Sequence, residues 1–173
     1  MTFPNATTDH SRYDLFAGSL SIERNSLDYK QYPISGRKQF LVAQYVTGTE
    51  KYMPSPITDM GSFDRKVHSW LQMKGEWEQY KTISPYFNLG FMSELVLSSK
   101  NLMNNYTASV LQAPAFTPTP HSQIVFNEAF RANQYVAFGL SPILKFSKLL
   151  HFRLDMYGFA PLYEIKKEEV WNN

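Results

Sequence analysis

The chain has 173 residues, with 17 Lys and Arg against 15 Asp and Glu for a formal net charge of +2, and no cysteine. That length is one domain at most, the nearly balanced and interspersed charge gives no electrostatic footprint for nucleic acid, and the lack of thiols excludes disulfide frameworks, thiolate zinc sites and cysteine nucleophiles. Aromatic residues make up 16% of the chain, with 11 Tyr and 13 Phe, a bias toward strands whose aromatics face a half-buried or lipid surface.

No run of about 18 apolar residues is present, so no membrane-spanning helix is encoded. A β-barrel escapes that test, because its strands need only about 10 alternating residues and its interior is polar. The mean hydropathy of -0.35 therefore does not argue against a membrane. Residues 1–11 are polar, with neither a charged n-region nor an apolar h-region, so no export signal is expected in the chain as written.

From Phe16 the first element alternates, with Phe16, Gly18, Leu20 and Ile22 on one side and Ala17, Ser19, Ser21 and Glu23 on the other. A period of two predicts a strand within 12–27 that has one apolar and one polar face. Asn25-Ser26-Leu27-Asp28 stops it, and Tyr32-Pro33-Ile34-Ser35-Gly36 follows as a turn, since proline removes a donor and glycine admits positive φ. Residues 39–47 read as a second strand with poorly distinguished faces, Phe40, Val42 and Val46 against Leu41, Ala43 and Tyr45. Residues 50–66, holding Pro54, Pro56 and Gly61, read as a longer loop.

The clearest strand is 67–79. Its even positions are His68, Trp70, Gln72, Lys74, Glu76 and Glu78, and its odd positions include Val67, Leu71, Met73, Gly75 and Trp77. Residues 86–98 repeat the pattern, with Phe87, Leu89, Phe91, Leu95 and Leu97 opposed to Asn88, Gly90 and Glu94. Residues 80–85 between them are short enough for a hairpin. Residues 99–133 break the rhythm with Pro114, Pro118 and Pro120, leaving a brief alternating piece around 106–112; a structureless connection this long inside a compact domain is suspect unless it is functional. Residues 134–141 resume a strand, 142–148 turn, and 149–160 close the series with Leu150, Phe152, Leu154 and Met156 opposed to His151, Arg153, Asp155 and Tyr157. Residues 166–173 are charged and carry no strand signal. The expectation is an all-β antiparallel meander of about six strands and no helix, joined by alternately short and long connections, which is the habit of outer-membrane barrels.

At this point the residues resemble a family. Asn25-Ser26-Leu27-Asp28, Tyr32-Pro33 and Gly36 resemble the strand-turn-strand motif of the BamA/TamA-like outer-membrane β-barrel superfamily, whose members assemble or secrete proteins at the bacterial outer membrane. The whole chain is most similar to the barrel attached to bacterial patatin-like phospholipases. The resemblance implies a transmembrane barrel of about sixteen strands, of which this chain covers roughly the eighth to the thirteenth. It also implies a sixth external loop that folds into the lumen carrying an arginine. Phe130-Arg131-Ala132-Asn133 resembles that loop motif, with Ala132 in place of the usual glycine, and Asp155-Met156-Tyr157-Gly158 resembles the lumenal aspartate motif that follows. With 99–133 external, the connections 80–85 and 142–148 and the turn 28–36 fall together at the periplasmic end.

These expectations assign sites. Arg131 and Asp155 form a lumenal loop-strand ion pair, or are separately an exposed loop arginine and a pore-lining aspartate. Asn25, Leu27, Asp28, Pro33 and Gly36 make the turn. His68, Lys74, Glu76, Glu78, Asn88, Glu94 and Arg153 face the lumen, or are the solvated face of ordinary strands. Trp70, Trp77, Tyr80, Tyr86 and Phe87 are an aromatic girdle or a sheet core. Glu76 and Glu78 share a face as any such pair in a strand does, which is weak support for paired-carboxylate hydrolysis. Gly18-Ser19-Leu20-Ser21-Ile22 lacks the second glycine of a nucleophile elbow. His10, His68, His121 and His151 show no ligand spacing, so no metal or cofactor is expected.

Six strands with two open edges leave backbone groups unpaired in hydrocarbon, so the chain is expected to be part of a longer barrel whose remaining strands and outer-membrane lipid are its partners. The implied function is a non-catalytic translocation or anchoring module of a patatin-like phospholipase or surface-antigen-type protein in the bacterial outer membrane, with any catalytic residues lying upstream. The competing reading is a small self-contained β-barrel that turns its apolar face inward around an apolar ligand.

Overall fold

The computed structural model describes residues 10–53, 64–100, 106–147 and 150–163. Its strands are β1 (His10–Asn25), β2 (Gly36–Met53), β3 (Asp64–Ser84), β4 (Phe87–Ser98), β5 (Gln134–Lys145), β6 (His151–Arg153) and β7 (Met156–Tyr163). All seven join one antiparallel sheet in which neighbours in sequence are neighbours in space. β6 and β7 both pair with β5, on either side of a break at Leu154 and Asp155, so seven strands fill six positions. The sheet is open, with β1 along one edge and β6 and β7 along the other.

Register turns the alternation of each strand into two continuous faces. One row runs Ile22, Leu41, Gly75, Leu95, Val136 and Ala160 across all six positions without a polar side chain. The next row, one residue along and on the opposite face, runs Glu23, Phe40, Glu76, Glu94, Ala137 and Phe159. Large apolar side chains of the first face stand exposed, among them Phe16 (74%), Leu20 (74%) and Phe138 (57%), whereas Glu94 on the other face is 4% exposed. Across its middle, the sheet covers the charges of β3 and β4 and exposes its hydrophobes, the inverse of a soluble β-protein.

The buried side chains lie on the polar face. Val96, Ala132, Tyr135 and Ala137 form a small core with Phe116, against which Met92, Tyr157 and Phe159 pack. Trp70 and Val46 make a second cluster with Tyr13.

The ladders are longer than alternation alone indicates. β2 runs on to Met53 and β3 begins at Asp64, so much of the loop read at 50–66 is strand, and residues 54–63 lie outside the described set. β3 also continues through Tyr80 to Ser84, leaving a two-residue turn where a six-residue connection was expected. β5 passes through Pro142, read as part of a turn, to Lys145; Pro142 donates nothing, but its carbonyl accepts from Leu154 N at 3.1 Å. Within the long connection, Tyr106–Leu111 is a helix, α1, where a short alternating piece and no helix were expected, and Glu128–Phe130 is a 3₁₀ turn. A helix of six residues is too short to print a periodicity that competes with alternation. The charged segment 166–173 is outside the described residues.

Candidate functional site: the polar face and its two covers

A belt of alternating charge crosses the polar face from β2 to β5. Lys38 Nζ meets Glu76 Oε2 at 2.9 Å, Lys74 Nζ meets Glu76 Oε1 at 2.8 Å and Glu94 Oε1 at 3.1 Å, and the Tyr135 hydroxyl donates to Glu94. Two ammonium groups thus face two carboxylates, which is the condition under which charges tolerate burial. Both oxygens of Glu76 are occupied, while Glu78 accepts from the Tyr80 hydroxyl at 2.7 Å. The two glutamates belong to different networks and do not form a carboxylate pair.

Nearer the short-turn end, Arg153 holds four elements together. Its Nε donates to Asp155 Oδ1 at 2.6 Å, Nη1 to the Pro33 carbonyl at 2.8 Å, and Nη2 to the Tyr80 hydroxyl at 2.9 Å and to Ser141 Oγ at 3.3 Å. The guanidinium also lies over the rings of Tyr80, 5.1 Å from the centroid, and Tyr32, at 5.7 Å. Ser141 in turn donates to Asp155. Planar, five-donor arginine fits such a convergence, where lysine would serve one partner at a time.

The turn between β1 and β2 folds back across the polar face to reach this arginine. Asp28 organises it, with Oδ1 accepting from the N–H groups of Tyr29 and Ile34 at 3.0 Å and of Ser35 at 3.2 Å. Burial raises the Asp28 carboxyl pKa, but the donors from Ser35, Ile34 and Tyr29 outweigh it and hold the group below its ordinary value. Asn25 Oδ1 accepts from Leu27 N at 3.0 Å. Gly36 closes the turn at φ 103°, where an added Cβ would stand 2.2 Å from the Ser26 carbonyl, so only glycine fits. Pro33 is buried, and Ile34 O accepts from Asn88 Nδ2 on β4 at 2.7 Å.

The second cover is the long connection. Phe116, 3% exposed, inserts beside Tyr135, Tyr157 and Phe159 with ring centroids 6.0 to 6.4 Å away. Between the two covers and the belt lies a cavity of about 380 Å³, bordered by Tyr32, Lys38, Glu76 and Arg153 on one side and by Thr117, Pro118 and Gln123 on the other.

The expected ion pair of Arg131 with Asp155 is replaced. Arg131 Nη1 donates to the carbonyls of Leu111 and Ala113 at 3.0 Å, and its guanidinium lies 4.7 Å from the Phe126 centroid, so it fastens the connection to itself. Asp155 has Arg153 instead. Arg131 precedes the start of β5 while Asp155 bonds Ser141 well along that strand, a separation of about 20 Å or more at strand rise, and Arg153 is two residues away on the same face. Loop and strand do meet, through Phe116 rather than through charge.

The seven residues expected to share one face, His68, Lys74, Glu76, Glu78, Asn88, Glu94 and Arg153, do share the polar face by register. His68 bonds Glu50 at 2.7 Å, and Glu50 accepts from the Tyr13 hydroxyl at 3.0 Å. Glu50 falls at the start of the expected loop 50–66 and Tyr13 outside the expected sites; in-phase alternation outward from Glu23 and Lys38 is the signal that finds both. The aromatic set does not form one cluster: Trp70 and Tyr80 are buried on the polar face ten residues apart, whereas Trp77 faces outward beside Phe91 at 5.4 Å. Ser19 lies within β1, away from any sharp turn. Among the described residues no group of three or more His, Asp or Glu is placed to hold a metal, and no helix is long and apolar enough to cross a membrane.

Comparison of the chain with protein-family models, with curated proteins and with solved structures found no match.

Proposed function

We propose that this chain is a non-catalytic sector of a transmembrane β-barrel, its exposed apolar face against lipid and its polar face toward a lumen. The observation that carries the reading is the pairing of a continuous apolar outer row with a charged, covered inner one. On β1 the outward positions from Phe16 to Ile22 are bounded by Asp14 and Arg24. The ten-residue rise from Asp14 to Arg24, at about 3.3 Å per residue and tilted by about 40°, sets these two charged rims about 25 Å apart, which brackets an apolar stretch on the scale of an outer-membrane barrel's hydrophobic belt.

Within this reading the turn 26–35 and the connection 106–133 occupy the lumen from its two ends, and the open edges take further strands of a larger wall, because hydrocarbon offers unpaired N–H and C=O groups no partner. The proposal places the protein in a bacterial outer membrane, as an anchoring or translocation module like that of the patatin-like phospholipases it resembles. A small barrel around an apolar ligand needs the hydrophobes on the covered face. That face instead carries Lys38, Lys74, Glu76, Glu94 and Arg153, so the membrane reading is preferred.

The test is partition of the full chain. On flotation with phospholipid vesicles it should rise with the lipid, its apolar face on the bilayer, yet be released by alkaline carbonate, because two open edges keep a sector from spanning hydrocarbon alone. A folded, monodisperse monomer in detergent-free buffer would overturn the proposal, since such a state leaves the outer face in water.

A further inference from the structure

One corner of the apolar face carries two arginines. Arg24 stands opposite Gln39, and Ser26 N donates to Arg37 O at 2.8 Å, so Arg24 and Arg37 are diagonal neighbours on the outward face, just beyond Ile22 and Leu41. Both are exposed, and neither guanidinium has an ion-pair partner among the described residues. The opposite rim differs. There the outward Arg12 and Lys51 lie 3.4 and 3.9 Å from Asp14, which offsets them.

The surroundings of the two arginines grade from apolar to polar. Trp77, opposite Gln39 on β3, packs its ring on Phe91, as an aromatic at a membrane-water boundary does. A surface groove of about 360 Å³ is bordered by Ile22, Leu41, Trp77 and Arg24, and a second of about 300 Å³ by Arg24, Ser26, Gly36 and Arg37. Arg24 belongs to both, so one end of the depression is hydrocarbon and the other is a pair of guanidinium groups.

We propose that Arg24 and Arg37 hold the phosphate of an anionic phospholipid headgroup whose acyl chain lies along Ile22, Leu41 and Trp77. Two guanidinium forks suit phosphate oxygens, and the adjoining hydrophobes demand an amphiphile, which a free phosphate is not. The inference rests on the membrane reading and adds to it a lipid class and a fixed rim.

The experiment uses the full chain with Trp70→Phe and Trp171→Phe, in neutral detergent micelles doped with brominated-chain phosphatidylglycerol or phosphatidylcholine, and reads quenching of Trp77. Phosphatidylglycerol should quench at a mole fraction about 25-fold lower, given about fivefold in partition for each of the two basic residues at an anionic surface. Arg24→Gln with Arg37→Gln should bring the two lipids level while circular dichroism stays unchanged, Arg24→Lys with Arg37→Lys should keep most of the preference, and Lys51→Gln with Arg65→Gln, which removes as much charge elsewhere, should leave it intact. An undiminished preference in the first variant, its equal loss in the last, or abolition by millimolar inorganic phosphate would overturn the lipid site while leaving the membrane reading in place. Absence of quenching by either lipid in every variant would overturn both.

Discussion

Arg153 and Pro33 are joined by a 2.8 Å hydrogen bond from the guanidinium Nη1 to the prolyl carbonyl across 120 residues of chain. The bond fastens the first turn of the meander to the last position of the sheet. Arg153→Ala should cost about 2–4 kcal/mol, because it strands a largely buried Asp155 carboxylate as well as freeing the turn. A chemical-denaturation midpoint in detergent, together with amide exchange at Ile34 and Ser35, measures it. Arg153→Lys should recover only a minor part, since one ammonium cannot span Asp155, Pro33 and Tyr80 together. An unchanged midpoint with full protection of the turn would show that the clamp carries no weight.

Asp28 gives that turn a pH dependence. Its carboxyl is held below the ordinary value, so an unfolded chain takes up the proton first on acidification. The stabilisation is complete above about pH 4, the ordinary range for aspartate, and is lost as pH falls through the lower folded value. Protection of the Tyr29, Ile34 and Ser35 amides, taken relative to the intrinsic exchange rate at each pH, should therefore fall on the acid side only. Asp28→Asn, which keeps an acceptor but no charge, should make the turn insensitive to pH there at a cost of about 1 kcal/mol.

Phe116 is the anchor of the long connection. Truncation to alanine empties a site bounded by Tyr135, Tyr157 and Phe159, a change of the kind that costs about 3–5 kcal/mol in a core. The loss is expected to fall on the cover rather than on the sheet: chymotryptic cleavage after Phe126 should rise sharply while the far-ultraviolet strand signal holds. Resistance equal to wild type would mean that other contacts hold the connection down.

Alternation made most of this sheet readable. Residues 67–79, 86–98 and 149–160 each separate charge from hydrocarbon at a period of two, and their register follows from that separation. β2 was opaque because Phe40, Val42 and Val46 sit on the polar face, where Phe40 lies under Lys38, 5.9 Å from ammonium to centroid. Strand ends were missed where Lys81, Thr82 and Ser84 continue the ladder, since hydrogen bonding there does not require hydrophobic side chains. The partner of Asp155 is legible only from the strand itself: Arg153 lies two residues away on the same face, whereas the loop motif around Arg131 carries no spacing relation to it. Phe116 could not be found at all: docking of an aperiodic segment depends on three-dimensional proximity that spacing does not encode.

Lys100 is a cost built into the junction of β4 and the long connection. Its ammonium sits 5.1 Å from the Trp70 centroid and 3.4 Å from Gln112 Oε1, and burial pushes its pKa down to about 8. The folded form gives up its proton before the unfolded chain does, so the penalty is full below about pH 8 and disappears as pH climbs toward the ordinary lysine value near 10.4. Thermal midpoints should rise between about pH 7 and pH 10, and Lys100→Met should raise the midpoint at neutral pH and flatten the slope. A midpoint that falls identically in both proteins over that range would contradict the assignment.

The central claim is that adjacent residues of one strand look into opposite media. The chain has no cysteine, so Phe138→Cys and Ala137→Cys on β5 each present a single thiol. In lipid vesicles, position 138 should react with a bilayer-dissolved maleimide and resist a charged aqueous one, while position 137, 0% exposed beside Glu94, should resist the bilayer reagent. Lipid access at 137 with aqueous access at 138 would contradict the account.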